Sequence, residues 1–151
     1  MTVSLESTRA RIRVAHPSDA KRLADLAGQL GYPSTTKDIV RRLRPIERSA
    51  LHAVFVAEAP DRQVIGWVHV YVCHLVESDP GAEIGGLVLD ERYRGRGVGQ
   101  LLMQRAEEWA RRKKCRTVSL RSNVIRTSAH AFYEKLGYTH IKTQKAFRKI
   151  L

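Results

Sequence analysis

Arg94-Gly95-Arg96-Gly97-Val98-Gly99 places three glycines and two arginines in six consecutive residues. Glycine lets a backbone turn tightly and brings bare N–H groups against a ligand. The first N–H groups of any helix lack internal partners, and with the helix dipole they suit an anion. Arg94 and Arg96 add charge-assisted donors. The segment is suited to a phosphate or pyrophosphate. A Walker loop needs Lys-Ser/Thr after its last glycine, and Gln100-Leu101 stands there instead. The dinucleotide fingerprint spaces its glycines GxGxxG near the first strand; this spacing is GxGxG and falls late in the chain. A disordered RG-type contact with RNA stays open from these residues alone, although ordered elements flank them.

The elements that must position this bend follow from hydrophobic period and turn chemistry. Ala82 to Leu89, rich in Ile, Leu and Val, has the pattern of a buried central strand and leads into the bend. A helix follows, with Val98, Leu101, Leu102, Ala106 and Trp109 inward and Arg105, Arg111, Arg112 and Lys113 outward. Upstream, Arg11 to Val14 alternates as a half-buried strand does. Ser18 is a candidate N-cap for a helix carrying Leu23, Leu26, Ala27 and Leu30, which Gly31 stops. A second helix begins between Ser34 and Thr36, and Pro45 is expected to kink or end it. His52 to Glu58 and Val64 to Leu75 are strands around a Pro60-Asp61-Arg62-Gln63 turn, with Gly66 a candidate bulge and Asp79-Pro80-Gly81 in the following loop. Thr117 to Leu120 is a short strand, Thr127 to Leu136 a helix, and a closing strand pair is expected after Gly137. The order β-α-α-β-β-β-α-β-α-β predicts an α/β fold with a mixed sheet and helices on both faces. Residues 1–10 have the composition of a flexible leader, and 11–151 make one domain with no internal linker.

The chain has 151 residues and a net charge of +12, from 27 Lys+Arg against 15 Asp+Glu. That excess points to an anionic cosubstrate, acidic substrate, nucleic acid or membrane surface, or to a solubilising charge halo. Met1 to Ala10 lacks the apolar core of a secretory signal, and the longest apolar run, Ala53 to Ala57, is too short to cross a bilayer. A cytoplasmic protein without membrane contact is the expectation. Cys73 and Cys115 stand apart without a CxxC pair, as two buried, reduced thiols would.

Arg94-x-x-Gly97-x-Gly99 resembles the Arg/Gln-x-x-Gly-x-Gly/Ala signature of the GNAT superfamily of N-acetyltransferases. Ala131-Phe132-Tyr133-Glu134-Lys135-Leu136-Gly137-Tyr138 resembles that family's second motif, and the element order agrees over roughly residues 11–150. The resemblance implies a splayed central strand pair, acetyl-CoA as cosubstrate, no metal, and direct attack of an amine on the thioester. It assigns the pantetheine arm to the backbone of Leu87, Val88 and Leu89. It assigns the pyrophosphate to Arg94, Gly95, Arg96, Gly97, Val98, Gly99 and Gln100. Tyr133 takes the family's general-acid role, and Glu83, four residues before Leu87, is the first candidate base. An alkylammonium of pKa ~10.4 costs about 4.6 kcal/mol to deprotonate at about pH 7, so a base is needed. His69, His74 and Glu77 are weaker base candidates.

One departure stands out. Arg126 occupies a position where many members hold asparagine; Asn123 is the candidate to supply that polar contact, and Arg126 to reach a CoA phosphate. Such pockets are built from the first helices and the strand hairpin, which nominates Tyr32, His69, Tyr71 and His74 as acceptor-lining residues. Dimerisation is common for such folds but is not encoded in any residue pattern here. Two other readings compete. A basic nucleic-acid or ribosome-associated module would use Arg41, Arg42, Arg44 and Arg48, but no nucleic-acid motif accompanies them. A non-catalytic acyl-CoA sensor is disfavoured by Tyr133.

Overall fold

The computed structural model describes residues 9–151. All but the last two residues of the expected leader lie outside that range. Contacts divide the chain into two compact units, the first ending at Leu120 and the second running Arg121–Leu151.

The first unit contains β1 (Arg11–Val14), a 3-10 turn (Pro17–Asp19), α1 (Ala20–Leu30), α2 (Thr36–Glu47), β2 (His52–Glu58), β3 (Val64–Leu75), β4 (Ser78–Leu89), a second 3-10 turn (Glu91–Tyr93), α3 (Val98–Arg112) and β5 (Val118–Leu120). The five strands lie in sequence order in one sheet. The first four are antiparallel, and β5 runs parallel to β4, as its helical crossover requires.

Local chemistry sets most boundaries. Gly31 adopts φ 99° and closes α1 with the left-handed cap that glycine favours. Thr35 and Asp38 form a reciprocal capping box at the start of α2. Leu23, Leu26, Leu43, Val54, Val56 and Val88 are buried together under α1 and α2, with Trp67 packed against them. Arg105 of α3 stacks over Phe55, which alternates with Val54 and Val56, so α3 covers the opposite sheet face. Full burial of Leu26 or Leu102 contributes about 1.5–3 kcal/mol each.

Three details differ from the sequence expectations, and the candidate bulge at Gly66 is present. Pro45 does not end α2, which runs on to Glu47. Proline this late removes only one N–H donor, and Arg48 N–H still reaches Arg44 O at 3.3 Å. Asp79-Pro80-Gly81 lies inside β4, because Leu75 already pairs with Ser78 across Val76-Glu77. The irregularity signalled by proline and glycine is a register shift between Cys73 and Leu75. A register shift also falls beside Gly66, where Ala57 pairs with Gly66 and Glu58 with Val64. Cys73 and Cys115 are free thiols, half-buried rather than buried.

The second unit holds α4 (Thr127–Lys135) and no described strand. The strand pair expected after Gly137 does not form; Ile141, Phe147 and Ile150 are exposed. Strand structure is a property of a hydrogen-bonded pair, and apolar alternation alone does not create it.

Candidate active site

β4 and β5 pair only from Ala82↔Val118 through Ile84↔Leu120. β4 then runs on to Leu89 beyond the last of those pairs. This is the splayed pair. Antiparallel pairing fixes what the open edge presents. Asp90 N–H donates to Ile65 O at 2.7 Å, and Gly66↔Leu89, Trp67↔Val88 and Val68↔Leu87 follow in register. Peptide groups alternate sides along a strand, so those of Val88 face β3, while those of Leu87 and Leu89 face the open edge. Val88 therefore departs from its expected role: its side chain is core and its peptide belongs to the ladder.

The glycine-arginine bend is anchored at its base by Asp90. This buried carboxylate accepts from Arg92 N–H at 3.1 Å, Arg92 Nη2 at 3.2 Å and Arg22 Nη2 at 3.0 Å. These donors, Arg92 first, hold its pKa down to about 2 against the cost of burial. Arg22 also donates to Val64 O, and Gln29 accepts from Glu91 N–H, so α1 holds the start of the bend from two sides. Gly95 and Gly97 adopt φ 76° and 81°, the left-handed region that disfavours other residues. The first backward bond of α3 is Leu101 N–H to Gly97 O. Gly97 has no side chain to cap with, so the N–H groups of Val98, Gly99 and Gln100 precede any intrahelical acceptor. Val98 contributes only its amide, because its side chain is core. Arg94 and Arg96 are exposed, and Arg96 lies over the Tyr93 ring at 5.4 Å. This donor set fits a diphosphate, and the neighbouring open edge fits an extended amide-bearing arm.

On the sheet face shared with Trp67, the structure gathers His69, Tyr71 and Glu83, with Tyr71 paired to Glu83 in register. His52, opposite Tyr71 on β2, completes the group. His52 Nδ1 is 3.0 Å from His69 Nε2, and the His52 ring stacks on both His69 and Tyr71, while His69 is tilted to Tyr71. Burial holds the His69 pKa down to about 4, and the His52 neighbour adds a smaller repulsion. His52 was not a sequence candidate: counting back from Glu58↔Val64 would set it across from Val70, and the register shift beside Gly66 brings it opposite Tyr71 instead. Tyr32 is exposed in the turn after α1, and His74 is exposed near the β3–β4 hairpin end. Neither is shown joining the ring cluster.

In the second unit, Asn123 Oδ1 accepts from Ile125 N–H at 3.2 Å, and its carbonyl accepts from Arg126 N–H. Asn123 thus builds the turn that leads, with Arg126 as N-cap, into α4. Tyr133 lies edge-on to Phe132 and Tyr138. Burial pushes its phenol pKa up, and the Arg126 charge opposes that shift. Among the described residues, no group of three or more His, Cys, Asp and Glu side chains is placed to hold a metal ion. None of their helices is long and apolar enough to cross a membrane.

The family model described as "Acetyltransferase (GNAT) family" matches residues 21–138. This chain belongs to that family. The GNAT chain is 30% identical over 141 residues to aminoglycoside N(6')-acetyltransferase type 1 of Stenotrophomonas maltophilia, covering 91% of each. Among solved structures it is similar to AAC(6')-Iy in complex with the bisubstrate analogue CoA-S-monomethyl-acetylneamine (TM-score 0.84, 20% identity, 95% and 100% coverage). It is also similar to an aminoglycoside 6'-N-acetyltransferase from Acinetobacter baumannii (TM-score 0.83, 20% identity, 94% and 99% coverage). This GNAT protein is an N-acetyltransferase that uses acetyl-CoA to acetylate an amine.

Proposed function

We propose that the acceptor is a primary amine on a small polar molecule, with an amino-sugar amine as the first to test. The observation that carries this is the near end-to-end relationship to an aminoglycoside-modifying enzyme. In this reading the diphosphate of acetyl-CoA rests on the N–H groups from Gly95 to Gln100, with Arg94 and Arg96 adding charge. The pantetheine amides pair with Leu87 and Leu89, and Asn123 and Arg126 contribute further CoA contacts. Glu83 accepts a proton from the acceptor ammonium. The amine lone pair attacks the thioester carbonyl, the tetrahedral intermediate expels the sulfur, Tyr133 donates its phenol proton to the thiolate, and the second proton given up by the nitrogen restores the phenol. A buried thiolate is poorly solvated, which makes transfer from a phenol of raised pKa feasible. A cytoplasmic location, where acetyl-CoA is available, is part of this reading.

A second acceptor class has its own support. The exposed face of α2 carries Lys37, Arg41, Arg42 and Arg44. A relative 33% identical over 87 residues is the aminoalkylphosphonate N-acetyltransferase of Salmonella typhimurium, so an amine bearing an acid group is the other arm. The test is release of CoA thiol from acetyl-CoA by purified protein with aminoglycosides, polyamines, amino acids, aminoalkylphosphonates and lysine peptides. Turnover is expected with an amino sugar. Activity confined to acidic amines would move the assignment to the second class, and no release with any amine would overturn both.

A further inference from the structure

Acetylating an ammonium group leaves one proton over. The nitrogen gives up two protons on becoming an amide, the CoA sulfur takes one, and the other must leave the site. We propose that the hydrogen-bonded pair His69–His52 is the route by which that proton leaves. The inference rests on the acetyl-transfer reading above.

The geometry links the β4 irregularity at Gly85 to a cavity lined by His52. A Cβ at Gly85 would lie 2.9 Å from His69 Nδ1, so that ring nitrogen stands directly over Gly85. Gly85 is the first residue beyond the last β4–β5 pair, where the open edge begins. The other ring nitrogen, Nε2, is 3.0 Å from His52 Nδ1. His52 in turn lines a cavity of about 400 Å³ together with His16 and Glu47. His16 and Glu47 are exposed, so this cavity opens to solvent.

Two rings joined through ring nitrogens share one proton and have two tautomeric arrangements. A proton accepted at His69 Nδ1 sends the Nε2 proton to His52 Nδ1, and the His52 Nε2 proton leaves to water. No ring ends charged, and the starting tautomers return after product leaves, when water in the open site takes the His69 Nδ1 proton while a proton from the cavity re-enters at His52 Nε2. Burial keeps His69 neutral at working pH, as a relay requires. The titratable groups facing the pair are Tyr71 and Cys73 on β3, Glu83 on β4, Glu47 on α2 and His16 before the first 3-10 turn. Glu83 takes the proton first in this scheme, and the pair carries it away.

The test uses the full chain with His52→Gln and His69→Gln, since glutamine can keep a hydrogen bond but cannot relay. Each variant is assayed with an alkylamine acceptor and with hydroxylamine, whose conjugate acid is already deprotonated at neutral pH. Relay loss predicts about tenfold or greater loss of kcat/KM with the alkylamine, recovering as pH rises, with hydroxylamine turnover and acetyl-CoA binding within about twofold of wild type. Equal losses with both acceptors, or none with either, would overturn the relay. A wild type inactive with every acceptor would instead overturn the acetyl-transfer reading. If either variant fails to fold, 15N NMR of the imidazoles in the wild type and in His52→Phe decides. A His69 tautomer balance that changes on losing its partner supports the pair; an unchanged balance overturns it.

Discussion

Arg22 and Asp90 are 68 residues apart in sequence, and Arg22 Nη2 lies 3.0 Å from the Asp90 carboxylate. The pair ties α1 to the base of the glycine-arginine bend. Asp90 is 2% exposed, so its charge depends on Arg22, Arg92 and the Arg92 backbone N–H for the solvation that water supplies elsewhere.

Asp90→Asn is expected to cost about 1–2 kcal/mol of stability at neutral pH and to weaken acetyl-CoA binding. The native pKa is lowered to about 2, below the unfolded carboxylate value. Its contribution is therefore present above the unfolded pKa and lost as pH falls through the folded one. Urea unfolding of wild type and variant should show a gap at neutral pH that closes between about pH 4 and pH 2. A gap independent of pH would contradict the charge assignment.

Two glycines should respond oppositely to alanine. Gly97 has φ 81° with nothing near its absent Cβ, so Gly97→Ala costs about 1–2 kcal/mol from backbone strain alone. The shifted N–H groups of Val98 and Gly99 should also weaken acetyl-CoA binding about tenfold or more. Gly28 lies within α1 with equally open space, and Gly28→Ala should stabilise by about 0.5–1 kcal/mol. Thermal melting and calorimetric titration with acetyl-CoA measure both, and a Gly97→Ala protein binding like wild type would remove the bend from the cosubstrate site.

Tyr133→Phe should lower kcat about 100-fold or more while leaving the acetyl-CoA dissociation constant unchanged. Burial pushes the Tyr133 phenol up, so it remains protonated beyond the range of a free tyrosine. A kcat equal to wild type would mean that another group protonates the sulfur.

Glu83→Gln should depress kcat/KM for an alkylamine most near neutral pH, with the loss shrinking as pH approaches the amine pKa, about 10.4. Glu83 faces the ring cluster through its pairing with Tyr71. A loss of constant size at every pH would assign Glu83 to acceptor binding instead.

Sequence legibility varied along the chain for physical reasons. The bounds of β2 and β3 and the starts of α3 and α4 were readable because caps, turns and hydrophobic period act within a few residues. The bend from Arg94 to Gly99 was readable for the same reason: positive φ at Gly95 and Gly97 and the unpaired helix N–H groups are local properties. Pro45 and Asp79-Pro80-Gly81 misled because a helix tolerates proline in its last turn and a ladder tolerates it at a bulge. The closing strand pair expected after Gly137 does not form, since that stretch pairs with no strand among the described residues.

By itself, then, the sequence determined the element order as far as α4, the anion-binding bend and the two family motifs, all written in neighbouring residues. Only the tertiary structure decided which peptide groups face the open edge of β4, because that depends on the β3–β4 register. It also decided that Arg22 reaches Asp90 and that His52 meets His69. Such contacts join residues far apart in the chain, and side-chain position across a sheet is fixed by pairing rather than by composition.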